Sequence, residues 1–327
     1  MVGTIKTAII WNKNSGMSAH HKLKQSLKKN AENYNLALYE TFSSEQGIQS
    51  LLTCLGEEVK IIVLVGGDGT TRLLCEYLLK HTAEEDRPAL ALVSGGTTNL
   101  IHRDIGYDFK NIDSLFSTIY KNCYRIERIS CLEIRKTPPA FETESRYYGF
   151  FLGLGALPDL TRSINKAPYQ AGMRGKIMEN IFGNFIFLRL ALGVPKSHKI
   201  LYPRDLELST DNKTWRNKTY VLGFLTSLKQ IIFGITPPFP DKKSFICLLK
   251  YPYKNFLQEL NRLRKSLIPK GDALDVDGIS HPLYLRFTGG WVLDGMYMDL
   301  KEGEMLKISE SKKLAFLVPD KQEEEKL

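Results

Sequence analysis

Over roughly the first 110 residues, short apolar runs alternate with stretches of helical spacing, the pattern of a parallel α/β domain. Ile5 to Trp11 (IKTAIIW) predicts a first strand, followed by a turn at Asn12-Lys13-Asn14-Ser15-Gly16 and a basic helix from Ser18 to Asn30. Leu36 to Thr41 predicts a strand and Ser44 to Leu55 a helix that Ser44 would cap. Val59 to Val65 (VKIIVLV) is almost wholly apolar, as expected of a strand covered by helices on both faces, and Ala89 to Val93 (ALALV) is another. Between them, Leu73, Leu74, Tyr77 and Leu78 fall at helical spacing within Thr70 to Lys80.

From Cys123 the runs lengthen and alternate more often, as in Cys123 to Lys136, Lys199 to Ser209, Lys218 to Leu225, Ser244 to Tyr251, Pro282 to Phe287, Leu306 to Ser309 and Leu314 to Val318. Polar loops separate them at Thr137 to Ser145 and Thr236 to Lys243, so this half is expected to be β-rich. Two helices are expected inside it, near Arg174 to Leu192 and Tyr253 to Leu267; in the latter Phe256, Leu260, Leu263 and Leu267 share a face. The expected division is 1–122 for the α/β domain, 123–319 for the β-rich domain, whose last strands can pack back on the first, and 320–327 for a solvated charged tail.

Composition adds limits. The 327 residues suit about two domains, and 43% hydrophobic with 25% charged residues is the balance of a folded chain. Forty-five basic against 36 acidic residues leave +9, which favours anionic partners without choosing among them. Cys54, Cys75, Cys123, Cys131 and Cys247 are odd in number and without close pairs, which argues against a disulfide scaffold or a zinc site and suits a reducing compartment. Met1 to Lys6 lacks the apolar core of a secretory signal, and Ile181 to Val194, the longest mostly apolar stretch, is too short to span a bilayer. No histidine has a partner at ligand spacing, so His102 and the others are expected to be solvated or packed.

The sharpest local signal is Val65-Gly66-Gly67-Asp68-Gly69-Thr70-Thr71, between a buried strand and a helix. Glycines there permit positive φ and close backbone approach, and a helix N-terminus beyond them offers unpaired N–H groups to a phosphate chain. It is neither a Walker loop nor a dinucleotide fingerprint. A plain strand-to-helix turn, capped by Asp68 or Thr70, would look the same. A second such loop follows the next strand, Ser94-Gly95-Gly96-Thr97-Thr98-Asn99, and Asn12 to Gly16 follows the first. Parallel strands bring all three loops to the carboxyl edge of one sheet, where such folds bind ligands.

In these residues the sequence resembles the diacylglycerol kinase catalytic-domain family, soluble lipid kinases that include sphingosine kinase relatives and, more distantly, NAD kinases. The family's Asn-Pro-x-Ser-Gly appears as Asn12-Lys13-Asn14-Ser15-Gly16, its Gly-Gly-Asp-Gly-Thr is intact at Gly66 to Thr70, and its Gly-Thr-x-Asn-Asp becomes Gly96-Thr97-Thr98-Asn99-Leu100. Its Leu-Asp-Gly-Glu becomes Leu293-Asp294-Gly295-Met296. The resemblance implies a Rossmann-like nucleotide domain followed by a β-sandwich-like domain, with ATP in the cleft, Mg²⁺ screening the phosphates, and transfer of the γ-phosphoryl group to a hydroxyl of diacylglycerol or a related lipid. It implies nucleotide binding by Asn12, Ser15, Gly16, Gly66, Gly67, Asp68, Gly69, Thr70, Gly96, Thr97, Thr98 and Asn99. It gives catalytic roles to Asp68 and Asp294: Asp68 would also touch the metal, with Glu127 as a second metal ligand, and Asp294 would be the general base. It further implies a cytoplasmic protein making peripheral contact with an anionic membrane surface, room for a homodimer, and no nucleic acid.

Several positions depart from the family. Met296 replaces a carboxylate, Leu100 a polar group, Arg72-Leu73 an Asn-Glu pair, and Pro240-Asp241-Lys242-Lys243 stands for an acid-rich metal loop. Asp294-Gly295 between alternating residues is also a hairpin-turn signal in its own right. Two alternatives therefore stay open: a kinase of a soluble acceptor, like the NAD kinases, and a nucleotide- or lipid-binding member that has lost catalysis.

Overall fold

The computed structural model describes residues 5–15, 21–95, 99–107, 112–138, 144–166, 202–229, 235–239, 241–242, 244–250, 255–279 and 282–318. The chain parts into two compact units, one of residues 1–130 with 312–327 and the other of 131–311. The change of pattern in the sequence suggested 122/123. The structural division falls inside one uninterrupted strand, whose alternation begins before the second unit does.

The first unit is built from β1 (Thr7–Asn12), α1 (His21–Asn33), β2 (Ala37–Thr41), α2 (Ser44–Gly56), β3 (Ile61–Gly66), α3 (Asp68–His81), β4 (Ala89–Ser94), α4 (Leu100–Ile105) and α5 (Ile112–Tyr120). Its strands run β2-β1-β3-β4, all in parallel register. Every residue of β3 is buried, which is why that run carries no polar position. Alternate strand residues Ile9, Trp11, Val63, Val65, Ala91 and Val93 share a core with Leu23 and Leu27 of α1 and Leu115, Phe116 and Ile119 of α5. The pleat sends the intervening residues to the other face, where α2 packs on α3 and β1. Ser43, and not Ser44, caps α2, accepting a hydrogen bond from the Gln46 amide. The hydroxyl must precede the first helical residue to reach that amide.

The second unit carries β5 (Arg125–Thr137, shared with the first), β6 (Ser145–Gly149), β7 (Phe151–Gly155), α6 (Ala156–Lys166), β8 (Arg204–Ser209), β9 (Arg216–Tyr220), β10 (Leu222–Thr226) and β11 (Phe245–Leu249). They are followed by α7 (Phe256–Arg264), β12 (Leu274–Gly278), β13 (Leu283–Arg286), β14 (Gly289–Leu293), β15 (Met296–Leu300) and β16 (Met305–Val318). One antiparallel sheet orders β12-β11-β10-β7-β14-β15, and the other pairs β16, β13, β8 and β9. Leu152, Leu154, Leu225, Ile246, Leu248, Trp291 and Leu293 of the first meet Leu206, Leu283, Leu285, Leu306 and Ile308 of the second in one core. That is a sandwich, and with the parallel unit it bears out the expected fold class.

Three local expectations change. Lys218 to Leu225 is two strands, because the chain passes from one sheet to the other at Val221, whose amide and carbonyl bond Leu249 and Ala156. Leu306 to Val318 is one strand: Ser311, in the polar stretch that looked like a break, turns its hydroxyl onto the Cys131 amide at 2.9 Å. Its end returns to the first unit, pairing parallel with β4 at Leu90 and Ala91. Leu267 lies beyond α7 and is exposed, while Phe256, Leu260 and Leu263 form the buried face. The helix expected at Arg174 to Leu192 lies outside the described residues. No helix among the described residues is long and apolar enough to cross a membrane.

Candidate functional site

In the first unit the three loops that follow β1, β3 and β4 meet. The Gly95 amide donates to the Gly66 carbonyl at 2.7 Å. A Cβ on Gly95 would sit 3.1 Å from both the Gly66 nitrogen and Ser15 Oγ, so this glycine is where all three loops touch. Asn12 Nδ2 donates to Thr70 Oγ1 at 2.7 Å, tying the end of β1 to the first turn of α3. Asn12 also folds its own loop: its Oδ1 accepts from the Asn14 amide at 2.9 Å and its carbonyl from Ser15 Oγ at 2.9 Å. Gly66, Gly67, Gly69 and Gly95 all have negative φ, so none is there for the positive φ that glycine permits, and at Gly66 and Gly95 what glycine supplies is close approach. At Gly66 a Cβ would stand 3.0 Å from Thr70 Cβ.

Asp68 does something the sequence does not announce. Its Oδ2 accepts from the Leu100 amide at 2.9 Å and its Oδ1 from the Ile101 amide at 3.1 Å, with His102 Nδ1 at 3.4 Å from the same oxygen. Asn99 stands at the start of α4 in the left-handed region, φ 51°, and its side chain makes no cap. The cap of α4 thus comes from a residue in another loop, and a carboxylate there suits the positive end of the helix. Asp68 neither caps its own helix nor turns outward; α3 begins at Gly67 with no side-chain cap. The His102 side chain is 1% exposed and its Nε2 has no hydrogen-bond partner, so it is packed, as expected, but packed against the motif aspartate.

Of the two expected metal ligands, Asp68 is turned onto the start of α4. Glu127 lies on β5 and pairs with Arg125 at 2.8 Å, two residues away on the same strand face. Among the described residues no group of three or more His, Cys, Asp or Glu side chains is arranged to hold a metal ion. Gly16, Gly96, Thr97 and Thr98 lie outside the described residues.

Asp294 sits in the second unit, in the turn between β14 and β15. Positive φ at Asp294 (46°) and Gly295 (87°) marks the tight hairpin turn that the dipeptide signals. The turn also aims a carboxylate. Asp294 Oδ2 accepts from the Phe150 amide and Oδ1 from the Phe151 amide, each at 2.9 Å, and the Asp294 amide donates back to the Phe151 carbonyl at 3.0 Å. Asp294 is buried, and Gly149 leaves the space it needs, since a Cβ there would come within 2.6 Å of Oδ2. Sequence reasoning missed the contact of His102 with Asp68, the role of Gly149 and the Phe150-Phe151 amides. Nothing local marks them, because each matters only through a residue far along the chain.

Comparison with known proteins follows the same division. The family model described as the diacylglycerol kinase catalytic domain matches residues 6–130. A crystal structure of a diacylglycerol kinase from Bacillus anthracis str. Sterne is similar over 96% of this chain and 97% of its own, at 14% identity and TM-score 0.59. A second structure from that organism, of a protein provisionally named a diacylglycerol kinase, covers 96% and 95% at 15% identity and TM-score 0.65. Yeast NADH kinase complexed with NADH covers 98% and 85% at 11% identity and TM-score 0.51. At such identities these likenesses concern the fold. No curated protein matches the chain. The resemblance carried by the glycine loops thus extends to a match with the diacylglycerol kinase catalytic domain over residues 6–130, and to a similar fold over nearly the whole length.

Proposed function

We propose that the chain is a lipid kinase that transfers the γ-phosphoryl group of MgATP to a hydroxyl of diacylglycerol or a related lipid. The observation that carries this reading is the junction of three glycine- and hydroxyl-rich loops at Gly95, inside the segment that matches the kinase catalytic domain. Backbone without Cβ atoms lets a phosphate chain approach closely, and Asn12, Ser15 and Thr70 line the junction with polar groups. Asp68 serves by fixing the start of α4, and so the loop before it, in place. Magnesium enters with the nucleotide as part of the substrate.

Phosphoryl transfer asks mainly for positioning and charge neutralisation. The acceptor oxygen bonds to the γ-phosphorus, the bond to the bridging oxygen breaks, ADP leaves, and the hydroxyl proton passes to the Asp294 carboxylate. A lipid acceptor places the work at a membrane surface, and the net charge of +9 favours an anionic one.

The test is transfer of labelled γ-phosphate from MgATP to diacylglycerol, monoacylglycerol, sphingosine and ceramide in micelles, with NAD as a soluble acceptor. Label on a lipid, absent with Asp294→Asn, is the expected result. Label on NAD alone would move the acceptor to the soluble class. Bound ATP with no labelled product would overturn the kinase reading in favour of a binding role.

A further inference from the structure

The peptide group that holds Asp294 is itself held from behind. The amide joining Phe150 to Phe151 donates its N–H to Asp294 Oδ1 at 2.9 Å. At its other end the Phe150 carbonyl accepts from Thr226 Oγ1 at 2.8 Å and from the Ser227 amide at 3.1 Å. Thr226 lies directly opposite Phe151 in the β7–β10 register, so the sheet itself delivers the hydroxyl to this carbonyl. The Leu228 amide donates to the same hydroxyl at 3.1 Å, which leaves the hydroxyl proton for Phe150.

Packing alone does not call for threonine here. The side chain is 0% exposed, where valine would fill the same volume without burying a hydroxyl. Nor does satisfying the Phe150 carbonyl call for it, because the Ser227 amide already does so. Besides accepting from the buried Leu228 amide, the hydroxyl adds a second donor on that carbonyl. Hydrogen bonds to a carbonyl polarise the whole amide and make its N–H a stronger donor. That N–H is the one bonded to Asp294.

We infer that Thr226 is a positioning residue: its buried hydroxyl, acting through the Phe150–Phe151 amide, holds the Asp294 carboxylate in the orientation that accepts a proton. The inference rests on the proposed role of Asp294 as base. A fixed carboxylate stays aligned with the acceptor hydroxyl, and small misplacements of a reacting group are costly. Gly149 offers a second way to disturb the same carboxylate from its other oxygen, since an added Cβ would press on Oδ2 at 2.6 Å as well as on the Leu293 side chain at 2.5 Å.

The experiment uses the full chain with Thr226→Val, Thr226→Ser and Gly149→Ala. Steady-state transfer from MgATP to diacylglycerol micelles is measured together with the amide proton shifts of ¹⁵N-labelled phenylalanine. Thr226→Val removes the bond to the Phe150 carbonyl and the acceptor of the Leu228 amide, and loss of the first is expected to lower kcat about 5- to 10-fold, with KM for both substrates unchanged. The Phe151 amide proton should move upfield, and Thr226→Ser should restore most of both. Gly149→Ala should lower kcat and shift the Phe150 amide, which bonds Oδ2. Wild-type kcat in Thr226→Val, or a Phe151 proton that does not respond to residue 226, would overturn the inference. A wild-type protein that phosphorylates nothing, while its Phe151 proton still follows residue 226, would sink the kinase reading and leave the hydrogen-bond chain standing.

Discussion

Asp68 and Asp294 both stand before a glycine and each binds two successive backbone amides, yet they hold different things. Asp68 holds the first two amides of α4, a helix start that its own Asn99 leaves uncapped. Asp294 holds the amides at the entry of β7, in the middle of an antiparallel sheet. Behind Asp68 stands His102, whose Nε2 makes no hydrogen bond; behind the amides on Asp294 stands Thr226, bonded on both sides. The first aspartate therefore organises a loop, and the second is itself organised. A motif residue's identity does not say which of these it does. Its hydrogen-bond partners do.

The widest separation is expected in activity. Asp294→Asn should reduce kcat by about 10²- to 10⁴-fold with nucleotide affinity unchanged, as for loss of a general base. Asp68→Asn should act the other way round, weakening nucleotide binding while the transfer step at saturation falls less. Titration with a fluorescent nucleotide beside the labelled-phosphate assay checks both. Equal effects on kcat from the two variants would erase the distinction between them.

Stability should separate them next. Asp68→Ala leaves two helix amides without their acceptor, at a cost of about 2–4 kcal/mol. Differential scanning calorimetry should show that loss in the transition of the first unit. Gly95→Ala sharpens the same point: a Cβ 3.1 Å from Gly66 N and Ser15 Oγ should cost about 1–3 kcal/mol and weaken nucleotide binding together, because one junction serves both.

Thiol reactivity compares the two cores. Burial pushes the Cys131 and Cys247 thiols up to about 12 and Cys54 up to about 11. A raised thiol pKa leaves almost no thiolate at pH 8, so these cysteines should react with an aromatic disulfide only as their unit opens. Exposed Cys123 should react at once. Prompt modification of Cys131 in the native protein would contradict the packing of the sandwich.

The smallest effect is a pH dependence in the first unit. Hydrogen bonds from Ser26, and then from Asn30, hold the Asp113 carboxyl below its ordinary value and join α1 to the start of α5. A depressed carboxyl contributes stability above its unfolded pKa, near 4, and that contribution disappears as pH falls through the lower folded value. Asp113→Asn should therefore lower Tm slightly at pH 7, with the difference closing at acid pH. A difference that persists at pH 2 would rule this out.

Much of this architecture is legible in the chain alone. The all-apolar run at β3 needs no tertiary information to be placed between helices, and the alternation after Cys123 foretells a β-rich half, which the structure arranges as a sandwich. The glycine loops announce a ligand edge because parallel strands deliver successive loops to one side. Less legible are the strands that change partner. Lys218 to Leu225 looks like one strand, since a switch of sheets at Val221 leaves the polarity pattern undisturbed. Glu310 to Lys313 looks like a break because the strand it belongs to is held there by the Ser311 hydroxyl instead of apolar packing.

The sequence by itself determined the order of elements, the two kinds of sheet and the three loops at the head of the first unit. These follow from periodicities and glycine positions, which act within a few residues of the chain. Only the tertiary structure decided what the polar residues in those loops do. It turned Asp68 onto an amide 32 residues away, put Glu127 beside Arg125 and set Thr226 behind the amide that holds Asp294. The physical reason is that a buried carboxylate or hydroxyl must take the nearest donor or acceptor, and which group is nearest is settled by strand register and helix placement.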